Sequence, residues 1–150
     1  DGLDEVKKAS SVEKNIVVSQ AALECAKYLK KTFGTPYEAG YPLVGELVPD
    51  MDYAGKKVLV VHQQVIADSI RAEIRKRGEG AAVTVASWFS MDKDLLEGDV
   101  SLRDEEDYIE LAESNGFDVI FADPCMKRMT PGFDGEFVEA VHFAVSGKCR

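Results

Sequence analysis

Seven polar or reactive side chains stand just after short apolar runs. Ser19 and Gln20 follow residues 15–18, His62 and Gln63 follow 57–61, Trp88 follows 82–86, and Asp123 and Cys125 follow 118–122. If each run is a strand of one parallel sheet, all seven gather at its carboxyl edge, where α/β folds bind ligands. Of these, Ser19, Gln20, His62, Gln63 and Cys125 form the candidate cofactor-contacting set, and Cys125 is the candidate metal ligand. A thiol in a loop can ligate iron as its thiolate, or it can be an inert, partly buried group. His62 can act as acid, base or hydrogen-bond donor, or serve as a satisfied structural histidine. The set contains no recognisable triad, so no catalytic residue is assigned.

The remaining histidine and cysteines invite plainer readings. Cys25 lies among Ala22, Ala26 and Leu29 and reads as core, Cys149 lies in the tail, and His142 reads as packed. Met126 and Met129 read as loop packing. Three cysteines with no C-x-x-C pair make neither a zinc site nor a disulfide framework, which places the chain in a reducing, cytoplasmic compartment.

The elements that must position these residues follow from periodicity and punctuation. Apolar residues at Ala22, Ala26, Leu29 and Phe33 predict a helix opened by Ser19 and closed by Gly34. Residues 38–55 carry five Gly or Pro breakers and read as a docked connection. Residues 57–61 form a continuous apolar run, as expected of a central parallel strand covered on both faces. Ile66, Ile70 and Ile74 mark the next helix, ended by Gly78, and 82–86 the next strand. An acidic loop leads to a helix bearing Tyr108, Leu111 and Ala112, then come a strand over 118–122 and a last short one over 137–141. Alternating strands and helices predict an α/β, Rossmann-like three-layer sandwich with a mainly parallel sheet of four or five strands, in one domain spanning 1–150.

A net charge of −9 argues against nucleic acid and anionic membranes as partners, and no apolar run approaches the roughly 20 residues of a membrane span. The basic run Arg71, Arg75, Lys76 and Arg77 reads as the solvated face and last turn of a helix. Asp104, Glu105, Glu106 and Asp107 suit a helix N-terminus, and the acidic loop lacks the ligand spacing of an EF-hand. Neither a dinucleotide glycine turn nor a P-loop follows any predicted strand, and the acidic pattern of a receiver domain is missing. The chain opens on Asp1 and stops at Lys148-Cys149-Arg150, so both ends read as cuts from a larger subunit.

Three stretches resemble the nitrogenase component 1 type oxidoreductases, which include nitrogenase molybdenum–iron protein subunits, cofactor-assembly scaffolds and dark-operative protochlorophyllide reductase subunits. They are Asn15-Ile-Val-Val-Ser-Gln20 with Ala26-Lys-Tyr-Leu29 and Phe33-Gly-Thr-Pro-Tyr37; residues 55–71; and Gly132-Phe-Asp-Gly135 with Phe143-Ala-Val-Ser-Gly147. The resemblance implies the C-terminal portion of an electron-transferring subunit that forms one wall of a metallocofactor or substrate cleft and part of a subunit interface. It implies a homologous subunit and a reductase electron donor as partners, and an iron–sulfur cluster or related metallocofactor in the full assembly. The cluster cysteines of that family's N-terminal unit have no counterpart here, so the segment alone is expected to hold no cluster and to be inactive. The alternative is a non-catalytic scaffold domain binding a small molecule or metallocofactor.

Overall fold

The computed structural model describes residues 3–146; Gly147 and Cys149, named above, lie outside the described residues. A parallel sheet of five strands forms the centre, with β3 (Lys57–Val61), β4 (Ala82–Ser87), β5 (Val100–Ser101), β6 (Val119–Ala122) and β7 (Glu136–Glu139) in the order β5-β4-β3-β6-β7. Every pairing is parallel, and β3 aligns Val58 with Val83 on one side and with Val119 on the other. This is the doubly wound order, with the chain reversing its direction of travel between β3 and β6.

Period-two alternation divides the sheet residues between two cores. Val58, Val60, Val83, Val85, Val119 and Phe121 pack beneath α4 (Gln64–Arg77) with Ala67, Ile70 and Ile74. Leu59, Val61, Ala86, Ile120 and Ala122 pack on the opposite face with Tyr108 and Ala112 of α5 (Glu105–Ser114) and with Met126. The expected three-layer sandwich is therefore present, and β3 is covered on both faces.

Local chemistry sets the ends of these elements. Asp104 caps α5 by accepting from the Asp107 N–H at 3.0 Å, in accord with the helix-start reading of the acidic run. Gly78 ends α4 at φ −132, so it is glycine for space and not for handedness: an added Cβ would stand 2.5 Å from the carbonyl carbon and Cβ of Tyr53. Gly34 closes α2 (Leu23–Phe33) in the left-handed region at φ 77, as its position predicts.

Five expectations change. The first strand, β1 (Asn15–Val17), does not join the main sheet; it pairs in parallel with β2 (Tyr37–Ala39) in a sheet of two strands. The connection 38–55 therefore begins inside a strand, and it also carries the single turn α3 (Val44–Leu47). Ser19 precedes a 3-10 turn, Gln20–Ala22, without a side-chain cap, and α2 starts only at Leu23. That phase buries Leu23 and Ala26 against Val17 and Val65, with Leu29 buried on the same helix, and turns Cys25, expected in the core, to solvent. Arg71, read as part of a solvated face, is buried and clamped by Asp99 at 2.5 Å and by Asp68. A short helix α1 (Leu3–Lys8) precedes β1, and a last turn α6 (Phe143–Ser146) follows β7. Among the described residues, no helix is long and apolar enough to cross a membrane.

Candidate functional site

The switch between β3 and β6 places His62 and Asp123 at neighbouring strand ends, and both are buried. Asp123 is fully enclosed. One carboxylate oxygen accepts from the Cys125 N–H at 3.0 Å and the other from the His142 N–H at 2.9 Å, so it staples the segment after β7 to the end of β6. The 3-10 turn Pro124–Arg128 begins under this cap, with Pro124 where no amide is needed.

His62 is fixed by two backbone contacts. The Gln63 N–H donates to Nδ1 at 2.8 Å, which leaves Nε2 as the protonated nitrogen, facing the Val141 carbonyl at 3.3 Å. Burial first, and then the neighbouring His142 ring, hold its pKa down to about 4. At neutral pH His62 is thus an uncharged donor to the backbone. Burial also lowers His142, whose Nδ1 accepts from the Ala144 N–H at 3.2 Å.

Three rings close the crevice. His62 and His142 lie with centroids 4.5 Å apart, and Phe89 stacks on His142 at 4.8 Å with planes 6° apart. The space left among Val61, His62, Ser87, Trp88, Phe89 and His142 is about 10 Å³, at the threshold for a single water. No small molecule enters without displacing the rings. At the outer side of this plug, Phe89, itself one of the three rings, and Val141 and Val145 remain 40%, 56% and 38% exposed, an apolar rim on the same sheet edge.

The other predicted residues divide between structural tasks. Gln63 and Gln20 do meet: Gln63 Oε1 accepts from the Gln20 N–H at 3.3 Å and from the Val65 N–H at 3.1 Å, and its Nε2 donates to the Val18 carbonyl at 3.0 Å. This amide therefore caps α4 and joins it to the β1–β2 ribbon. Ser19 is half-buried, and its carbonyl accepts from the Ala22 N–H at 3.0 Å. Trp88 turns toward α5, donating from Nε1 to the Asp104 carbonyl at 3.0 Å. Cys125 is exposed, yet burial around its sulfur and then the Asp123 carboxylate push its pKa up to about 11, so without a metal the group stays a neutral thiol at pH 7. Cys25 lies on α2, and no group of three or more His, Cys, Asp or Glu able to hold a metal occurs among the described residues. Among the described residues, these side chains do not supply the ligand set of an iron–sulfur cluster.

Sequence reasoning missed the partnership of Phe89 with His142, although both follow strands, and it missed three fastenings of the loop between β4 and β5. Gln64, fully buried, accepts from the Asp92 N–H at 2.6 Å and donates to the Asp92 carbonyl at 3.1 Å. Lys27 of α2 pairs with Asp92 at 2.5 Å, while Arg71 takes Asp99. The acidic residues of that loop, set against the basic residues of α4, were the available signal.

No family model matches the chain, and no curated protein matches it. Among solved structures it is similar to one described as nitrogenase Cp1 at pH 6.5, with 16% identity and a TM-score of 0.59. The match covers 92% of this chain and 40% of that one, so the chain spans about two fifths of the length of the solved chain it matches. The fold is nitrogenase-like.

Proposed function

We propose that this segment is one wall of a metallocofactor or substrate cleft in a nitrogenase-like oxidoreductase, and that its rim meets a neighbouring unit or a homologous subunit. The observation that carries the reading is the contrast at the carboxyl edge of the sheet. His62, Gln63 and Asp123 direct their polar atoms to internal partners and the crevice is plugged, whereas Phe89, Val141 and Val145 stay partly exposed to water. An apolar rim of this kind is stabilised when something covers it. The cofactor itself, and the electrons from a reductase, come from groups outside this segment. The wall contributes shape, exclusion of water and neutral hydrogen-bonding groups.

The test is made in the native assembly with Val141→Asp, at a position exposed enough to leave the fold alone. The expected result is loss of metal retention or of subunit association, with an unchanged circular dichroism spectrum and melting midpoint. Metal content and assembly equal to the parent's would remove the rim from the cleft. Assembly and metal retention that depend on Val141, in a protein that accepts no electrons from a reductase, favour the non-catalytic scaffold.

A further inference from the structure

The two-stranded sheet formed by β1 and β2 does not resemble a finished structure. Parallel strands occur almost only in larger sheets with both faces covered, and even an antiparallel pair is marginal alone in water. The ribbon has one covered face, where Val17 packs with Leu23, Ala26 and Val65. On the other face Ile16 is 55% exposed. A groove of about 500 Å³ runs along that face past Gly40, Pro42, Val44 and Ala72.

The hydrogen-bond register shows which backbone groups are left over. Asn15 donates to the Pro36 carbonyl at 2.9 Å, and the Val17 carbonyl accepts from the Gly40 N–H at 3.0 Å, so Asn15 and Val17 face β2. Alternate residues of a strand direct their N–H and C=O to opposite edges, and Ile16 therefore presents both groups away from β2. Among the described residues, no third strand pairs with it in this sheet.

We infer that β1 is an interior strand of a second parallel sheet, and that a further strand, from polypeptide beyond these 150 residues, runs parallel to β1 along its Ile16 edge. The occupant is an extended segment with apolar side chains toward Ile16, accepting from the Ile16 N–H and donating to its carbonyl. Three observations favour it over other covers: the pairing already present is parallel, the unused backbone groups lie beside an exposed isoleucine, and the solved chain of like fold extends well beyond the match, which covers 40% of it. Residues 15–39 then close one α/β unit while residues 57–139 build the next, with Gln63 at the joint. This inference does not depend on the proposed cleft, since it needs neither metal nor reductase and is read on protein stripped of both.

Amide hydrogen exchange of the native polypeptide, purified from its own cell, reads the edge directly. The Ile16 amide is expected to be protected by about 100-fold or more, alongside Val17. Exchange of Ile16 at the unprotected rate beside a protected Val17 overturns the inference, because the ribbon is then complete as a pair. Protection that appears only as the protein self-associates, followed by sedimentation, also overturns it, since a second copy is then the cover. Ile16→Pro removes the outward donor but also fixes φ and changes the side chain, for which Ile16→Ala is the side-chain control. The melting midpoint is expected several degrees lower for the proline than for the alanine variant. Equal midpoints count against the added strand, and if the proline variant fails to fold, the exchange measurement decides alone.

Discussion

Replacing His62 with Phe keeps a ring beside His142 and removes the one proton whose position the strand end fixes. At pH 7 the change is expected to cost about 1–3 kcal/mol, because the Gln63 N–H and the Val141 carbonyl lose their partner in a buried place. Acid alters the balance in a defined direction. The folded-state pKa of His62 is lowered from 6.5 to about 4, so the unfolded chain takes up the proton first as the pH falls. The stability carried by the neutral, buried ring is complete above about pH 6.5 and is lost as the pH drops toward 4. A gap of about 2.5 pH units corresponds to about 3 kcal/mol. The variant's deficit should therefore shrink by about that amount between pH 7 and pH 4, and vanish or reverse at the acid end. Asp68 works the other way, because burial raises it to about 6, but it is common to both proteins and cancels in the difference. Urea unfolding of both at pH 7, 6, 5 and 4 measures the effect. Parallel stability curves across that range, or a His62 imidazole that titrates near 6.5 by NMR, would refute the reasoning.

Arg71→Met leaves Asp99 and Asp68 without their buried counter-charge and should destabilise by about 3–5 kcal/mol in urea unfolding; a loss below about 1 kcal/mol would mean the loop re-pairs elsewhere. Gly78→Ala forces a methyl against the Tyr53 backbone and should lower stability by about 1–3 kcal/mol, read as a lower melting midpoint with the sheet signal in circular dichroism retained. Cys125, although exposed, should alkylate with iodoacetamide far more slowly at pH 8 than an unstructured peptide thiol, and its rate should climb toward pH 11; peptide-like reactivity at pH 8 would show the sulfur free of Asp123.

The central strand was legible because a parallel strand buried on both faces has no place for a polar residue, and residues 58–61 contain none. The helix after it was equally plain, from three isoleucines four residues apart. β1 was legible as a strand but not as a member of another sheet, since its partner Tyr37–Ala39 is three residues long and hidden among Pro36, Gly40 and Pro42. Cys25 was misplaced for a related reason. The helix lies on a small cluster and buries a narrow stripe, and one residue of phase decides which side chains belong to it. At the candidate site, the rule of looking beyond strand ends located His62, Gln63 and Asp123. Their use was not legible, because it depends on where Val141, His142 and Phe89 return in space, and nothing in local periodicity encodes that return. Arg71 shows the same limit for charge: a helix face that meets an acidic loop is indistinguishable in sequence from one that meets water.

The Gln63 amide links two properties that are usually independent. It supplies the first-turn cap of α4 and simultaneously holds the Val18 carbonyl and the Gln20 amide, in the segment that leaves the ribbon after β1. Any rotation of the ribbon against the main sheet must stretch those bonds and release the cap, so the angle between the two units and the integrity of the helix start are coupled mechanically. A torque applied at the ribbon would reach His62, the residue immediately before Gln63, through one peptide bond. The joint can therefore carry coupling between its two sides, of a size bounded by a single cap, about 1 kcal/mol.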